Sequence, residues 1–109
     1  TLFLSWTAQG LQLSYATCKK ADQGAAEQST PVEVSSDSTL YLRITVGKGA
    51  RCSFSYSADG SHYTSAGGDF QAVPGRWIGA KVGLYCNSIR QTNDAGYLDV
   101  DWFRVRPLP

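Results

Sequence analysis

The sequence predicts an all-β protein built as an antiparallel β-sandwich. Apolar and polar residues alternate with period two in run after run of the 109 residues, and no stretch has the period of an amphipathic helix. Glycine, proline, asparagine and aspartate separate these runs as turn residues. Strands with one apolar and one polar face are typical of antiparallel sheets packed face to face. We therefore expect a single sandwich domain over residues 1–109.

The N-terminal part of the chain contains three runs that predict strands. Residues 1–6 form a strand-like run that starts without Met, so we expect the chain to be a piece of a longer protein. Alternation continues over residues 11–16 and is clearest over residues 40–46. Residues 18–30 are small and polar, which predicts a long loop with room for one helical turn.

The C-terminal part contains three further predicted strands. Residues 52–56 alternate and are followed by the turn sequence Asp59-Gly60, a strong hairpin signal. Residues 77–86 alternate over a longer stretch, and residues 97–105 are strand-like on both faces. The apolar sides of these runs predict the core, in which we expect four residues to be buried: Ile44, Phe54, Val82 and Leu84.

Composition argues against several classes of partner. The formal net charge is +1 and no basic run is present, whereas proteins that bind nucleic acid cluster Lys and Arg against phosphates. No apolar stretch approaches the roughly 20 residues of a membrane-spanning helix. The sequence therefore predicts neither a nucleic-acid partner nor a membrane partner.

The cysteines and the histidine do not form a metal-binding pattern. Cys18, Cys52 and Cys86 lack the close spacing of zinc ligands, and His62 is the only histidine. The three thiols allow at most one disulfide, by any of three pairings. Because Cys52 and Cys86 fall in strand-like runs, the alternative is that they are small buried hydrophobic residues. We predict no metal ligation by Cys or His and no cofactor.

Catalytic carboxylates are the next candidates, and the sequence does not favour them. A glycosidase places two carboxyl groups across one bond, and Asp99 and Asp101 are the only closely spaced acidic pair. Alternate residues of a strand share a face, so the pair has a suitable separation. Two solvated acids, or ligands of a structural calcium ion, explain the same pattern. We expect no catalytic residues, with Asp99 and Asp101 as the candidates for calcium.

Two of the predicted strands carry the kinds of residue that sugar binding requires. A pyranose stacks its C–H face on an aromatic ring, and its hydroxyl groups need fixed polar partners. The faces opposite the core carry Tyr41 and Arg43 on one strand, and Trp77, Lys81 and Tyr85 on the other. If these strands are neighbours, they form an aromatic and basic platform that suits a polysaccharide. The alternative is that another layer or domain covers this face.

Five segments of the sequence resemble successive blocks of one protein family. They are LSYATCKKAD at 13–22, TLYLRITV at 39–46, CSFSYSADG at 52–60, GRWIGAKVGLY at 75–85 and GYLDVDWFRV at 96–105. Together they are similar to the concanavalin A-like C-terminal domain of glycoside hydrolase family 43 β-xylosidases and arabinofuranosidases. The fourth and fifth of these segments carry the most specific motifs, RWIGAKVGL and DWFR.

The resemblance implies a jelly roll that packs against a catalytic propeller domain in a secreted, hence extracellular or periplasmic, enzyme. The family domain is about twice as long, so the chain resembles its C-terminal half. Two functions follow from the resemblance. The chain is either an accessory domain that binds xylan or xylo-oligosaccharide or borders the catalytic pocket, or a structural domain that packs on the propeller without touching sugar.

Overall fold

The computed structural model describes residues 1–33, 39–75, 81–86 and 97–109. The chain comprises two compact units, Thr1–Ala72 and Val73–Pro109. Among the described residues the regular structure consists of strands and two short 3₁₀ turns, at Ala21–Gln23 and Lys48–Ala50. This confirms the predicted all-β class. In that part of the chain, no helix has the length and apolar character needed to cross a lipid bilayer.

The first sheet contains three antiparallel strands in the order β1-β2-β3: β1 (Leu2–Thr7), β2 (Gly10–Thr17) and β3 (Gln28–Val32). Leu4 pairs with Leu13, and Leu13 pairs in turn with Val32. Three apolar side chains therefore lie in a row across one face of the sheet. Leu13, at the centre of this row, is fully buried.

Strand β3 corrects the predicted loop over residues 18–30. The 3₁₀ turn at Ala21–Gln23 agrees with the expected helical turn, but Gln28–Val32 pairs along β2. The segment is mostly polar and contains Pro31, so its composition does not indicate a strand. Because Pro31 lies at the edge of the sheet, its missing N–H costs no bond inside the sheet. Pairing with β2, rather than local composition, makes this segment a strand.

The second sheet is built around one central strand. It consists of β4 (Tyr41–Val46), β5 (Arg51–Ser57), β6 (Thr64–Ser65) and β7 (Phe70–Gln71). Strand β4 pairs along one edge of β5, while β6 and β7 pair with two separate parts of its other edge. The predicted strands and the turn at Asp59-Gly60 between β5 and β6 are confirmed.

One face of the second sheet turns toward the first sheet. On this face Ile44 pairs with Phe54, and both side chains are half-buried. Phe54 lies between two other rings: Tyr15 of β2 meets it edge-on at 5.8 Å, and Phe70 of β7 stacks on it at 5.3 Å. Cys52, on the same face, is buried, in agreement with the alternative that it is a small buried hydrophobic residue. These aromatic contacts join the two sheets into a sandwich.

Two tyrosines tie the sheets together by hydrogen bonds to backbone carbonyls. The Tyr15 hydroxyl donates to the Gly68 carbonyl at 3.0 Å, and the Tyr56 hydroxyl donates to the Glu33 carbonyl at 2.7 Å. Each ring starts on one sheet and ends at a segment next to the other. A tyrosine suits this role because its ring packs on apolar neighbours while its hydroxyl reaches a polar partner.

The second unit differs from the sequence prediction. Its described residues, 73–75, 81–86 and 97–109, contain no strand. Val82 and Leu84 are 53% and 58% exposed, so the prediction that they belong to the core is wrong. Cys86 is exposed as well. Alternation gives a segment two different faces, but burial requires a paired and covered strand, and these residues have no ladder partner among the described ones.

Candidate functional site

The candidate site is the face of the second sheet that points away from the first sheet, called here the polar face. The register of β4 to β7 places the following side chains on it: Tyr41, Arg43, Thr45, Arg51, Ser53, Ser55, Ser57, Ser65 and Gln71. Tyr63, which precedes β6, joins them through its contact with Arg43. The face thus combines two tyrosine rings, two arginines and a row of hydroxyl groups.

Arg43 and Tyr63 form the centre of the polar face. The guanidinium carbon of Arg43 lies 3.4 Å from the centroid of the Tyr63 ring. At this distance the guanidinium group is in van der Waals contact with the ring, and the ring quadrupole attracts its charge. Arg43 is exposed and Tyr63 is half-buried. The contact therefore holds a cation in place at the surface of the sheet.

Tyr41 is positioned by the turn that follows β5. Gly60 has a φ of 75°, and a Cβ atom on it would lie 3.1 Å from Cε1 of Tyr41. Glycine is favoured here for two reasons, since the left-handed backbone strains other residues and the ring leaves little space for a side chain. The turn backbone therefore packs on the Tyr41 ring and restricts its position.

The same turn is held by a network of hydrogen bonds around Asp59. Its Oδ1 atom accepts from the Ser57 hydroxyl at 2.9 Å and from the backbone N–H groups of Ser61 and His62, both at 2.8 Å. Oδ2 lies 2.7 Å from Nδ1 of His62. Ser57 is buried, and its Oγ atom accepts from the backbone N–H groups of Asp59 and Gly60. The Asp59 carboxylate is thus fully engaged within its own turn.

This network shifts both titrating groups. The hydrogen bond from His62, followed by bonds from backbone N–H groups and from Ser57, holds the pKa of Asp59 well below its ordinary value. The hydrogen bond to Asp59, and then the negative charge of Asp59, raise the pKa of His62. Both side chains are exposed, so solvent screens the pair.

The turn should be most stable in a mildly acidic window. The contribution of His62 to folding stability is complete below the unfolded pKa of histidine, about 6.5, and is lost as pH rises through the raised pKa of the folded state. The contribution of Asp59 is complete above the unfolded pKa of aspartate, about 3.9, and is lost as pH falls through the lowered pKa of the folded state. Both contributions are present between about pH 4 and 6.5. NMR titration of the His62 ring should give a pKa above 6.5 that returns to about 6.5 in Asp59→Asn. An unchanged titration in that variant would contradict the pairing.

The five residues that the sequence predicts to bind sugar fall into three groups. Tyr41 and Arg43 lie together on the polar face, as their alternation in β4 predicted. Lys81 and Tyr85 belong to the second unit, where both are exposed. Trp77 lies outside the described residues. A platform formed by all five side chains therefore stays a prediction.

Tyr63 is the residue of this face that the sequence reasoning missed. The turn sequence Asp59-Gly60 was recognised, but the turn between β5 and β6 extends from Ala58 to Tyr63. A two-residue hairpin loop would have given a different register for the returning strand. The available signal was the pair of runs Ser-Phe-Ser-Tyr-Ser and Tyr-Thr-Ser, whose hydroxyl groups suit a shared polar face.

The remaining candidates from the sequence are the acidic pair and the cysteines. Asp99 and Asp101 are exposed in the second unit, and a calcium role for them stays a prediction. Within the described ranges, no three His, Cys, Asp or Glu side chains are grouped closely enough to hold a metal ion. All three cysteines are free thiols.

Comparison with known proteins decides the family. Residues 1–106 match the β-xylosidase C-terminal concanavalin A-like domain. The chain belongs to this family. A β-xylosidase from Formosa agariphila is 39% identical over 64 residues, which is 59% of this chain and 10% of that protein. The chain thus spans about a tenth of the length of this relative. No solved structure matches.

Family membership confirms the resemblance and the concanavalin A-like sandwich predicted from the sequence. It also defines the chain as an accessory C-terminal module of the kind carried by glycoside hydrolase family 43 β-xylosidases.

Proposed function

We propose that this family 43 C-terminal module is non-catalytic and binds xylan or xylo-oligosaccharide through its polar face. The observation that carries the proposal is the Arg43–Tyr63 pair at the centre of a hydroxyl-rich sheet face. Xylan, the polymer of xylose, matches the class of enzyme, β-xylosidase, that carries modules of this family. The proposal includes an extracellular or periplasmic location, because a polymer of this size does not cross a membrane.

The chemistry of the polar face suits a sugar. The rings of Tyr41 and Tyr63 provide flat apolar surface for the C–H face of a pyranose. The guanidinium group of Arg43 adds a planar and weakly hydrated surface whose N–H groups donate to sugar hydroxyls. Ser53 and Ser55, both half-buried, supply hydroxyl groups that donate or accept. Binding needs only such contacts, whereas hydrolysis needs a carboxyl pair as well.

A second function, packing against a catalytic propeller domain, is favoured by a different observation. Leu42 and Val46 lie on the opposite face of β4 and are 41% and 44% exposed. These two residues share the core face with Ile44, and the part of that face that the first sheet leaves exposed is apolar surface that suits contact with protein rather than with sugar. Because the two faces are distinct, packing through one does not exclude sugar binding through the other.

Titration with xylo-oligosaccharides tests the binding proposal. We expect weak affinity, with a Kd of about 1 mM or roughly −4 kcal/mol, because an open face leaves much of the sugar in water. Amide NMR shifts should concentrate at Tyr41, Arg43 and Tyr63. Tyr63→Ala should weaken binding about two- to tenfold, as expected for loss of one aromatic contact of about 0.5–1.5 kcal/mol.

Trp6→Ala is the matched control, because this tryptophan is 82% exposed and lies on β1 of the first sheet, outside the polar face. It should leave the affinity unchanged. Shifts confined to the loop between β2 and β3 would move the binding site there. An absence of shifts at sugar concentrations far above millimolar would favour the packing function.

A further inference from the structure

The charges on the polar face are all of one sign. Its ten side chains, defined above by the strand register and the Arg43–Tyr63 contact, include two arginines and neither an aspartate nor a glutamate. A sheet face that serves only for solvation usually carries both signs, because opposite charges on neighbouring strands stabilise each other. The polar face therefore has an excess of positive charge that is available to a ligand.

Arg43 carries the part of this charge that is best placed for recognition. No carboxylate among the described residues lies within salt-bridge distance of its guanidinium group. The group lies over the Tyr63 ring at 3.4 Å, and a contact with the face of the guanidinium leaves the N–H groups at its edge able to donate hydrogen bonds. A guanidinium held in this way can donate two parallel N–H hydrogen bonds to one planar acceptor. A carboxylate has the matching geometry, because each of its two oxygens accepts one of these bonds.

The nearest acidic residue in the turn does not neutralise Arg43. Asp59 accepts hydrogen bonds from Ser57, Ser61 and His62 and pairs with the His62 ring. These bonds use both of its carboxylate oxygens inside the turn. Arg43 is held by an aromatic ring instead of by an acid, so its charge remains available.

We infer that the polar face prefers a carboxylated glycan, with Arg43 as the receptor of a uronic acid carboxylate. The inference rests on the proposed glycan binding through the same face and adds the ligand class. A neutral backbone contacts the tyrosines and the serine hydroxyls, and a uronate branch forms a paired hydrogen bond with the guanidinium. The acidic surface of a partner protein would satisfy Arg43 alone but would leave the hydroxyl rows without matching groups.

Calorimetric titration of the chain with two xylo-oligosaccharides of equal length tests the inference. One sugar is unbranched, and the other carries a single glucuronic acid branch. We expect the branched sugar to bind about tenfold more tightly at low ionic strength, the size of one charge-assisted hydrogen bond. The advantage should shrink as salt is added. Arg43→Gln should abolish the advantage, so that both sugars bind equally, and should also weaken binding of the unbranched sugar about two- to tenfold, because Arg43 donates to sugar hydroxyls as well.

Lys19→Gln is the matched control, because Lys19 is an exposed cation of the first unit that lies in the loop between β2 and β3 and is not one of the side chains of the polar face. It should retain the full preference for the branched sugar. Equal binding of both sugars, or a preference that survives Arg43→Gln, would overturn the inference and leave the proposed function intact. Failure of both sugars to bind, with binding of an acidic polypeptide instead, would overturn both proposals.

Discussion

Replacing Gly67 by alanine should destabilise the protein by about 2–5 kcal/mol, the sum of a strained backbone and an overpacked contact. Gly67 has a φ of 78°, a region that L-residues with a Cβ rarely adopt. A Cβ atom there would also overlap Cδ1, Cε1 and Cγ of Tyr15. The ring cannot simply move aside, because its hydroxyl donates to Gly68 and its edge packs on Phe54.

Gly24→Ala separates the two causes. Gly24 also has a φ of 78°, but no atom lies within 4 Å of the position of its added Cβ. This variant should lower the free energy of unfolding by about 1–2 kcal/mol, the contribution of backbone strain alone. Urea unfolding of both variants gives the comparison. An equal loss of unfolding free energy in both variants would show that the Tyr15 ring does not pack on Gly67. In a protein that already carries Tyr15→Leu, Gly67→Ala should be less destabilising, because the overlap with the ring is relieved.

Phe54→Ala should lower the free energy of unfolding by about 3 kcal/mol, the low end of the range for a large aromatic side chain removed from a core. The low end applies because Phe54 is half-buried. Its ring nevertheless joins three strands, β2, β5 and β7, through contacts with Tyr15 and Phe70. Because a domain of this size has only about 5–15 kcal/mol of stability, the variant should lose much of it.

Trp6→Ala provides the control for side-chain size. Trp6 is larger than Phe54 but 82% exposed, so its removal should change the stability by no more than about 0.5 kcal/mol. Thermal or urea unfolding measures both variants. If Phe54→Ala proved as mild as Trp6→Ala, the aromatic cluster between the sheets would not stabilise the sandwich.

Several parts of the fold could be predicted from the sequence because their signals are local. Alternation over residues 40–46 predicts both the strand β4 and the opposite faces of Ile44 and Arg43, and the register confirms them. The Asp59-Gly60 turn likewise predicts the reversal between β5 and β6. In each case the backbone geometry of one short segment determines where neighbouring side chains point.

The candidate site could be predicted only in part, because only some of its contacts arise within a single strand. Tyr41 and Arg43 share a strand face by local geometry alone. The contact of Arg43 with Tyr63 depends on the register of β6 against β5, and the longer turn set that register. The single domain predicted over residues 1–109 and the five-residue sugar platform stay predictions.

The sequence by itself determined the β class, the strands β2, β4 and β5, and the family, because alternation and short motifs are properties of contiguous residues. Only the tertiary structure decided that polar Gln28–Val32 is a strand, that Tyr15 and Tyr56 join the sheets, and that Val82 and Leu84 are exposed. These features depend on pairing and packing between distant residues. An alternating segment offers an apolar face, but a partner strand or sheet decides whether that face is buried.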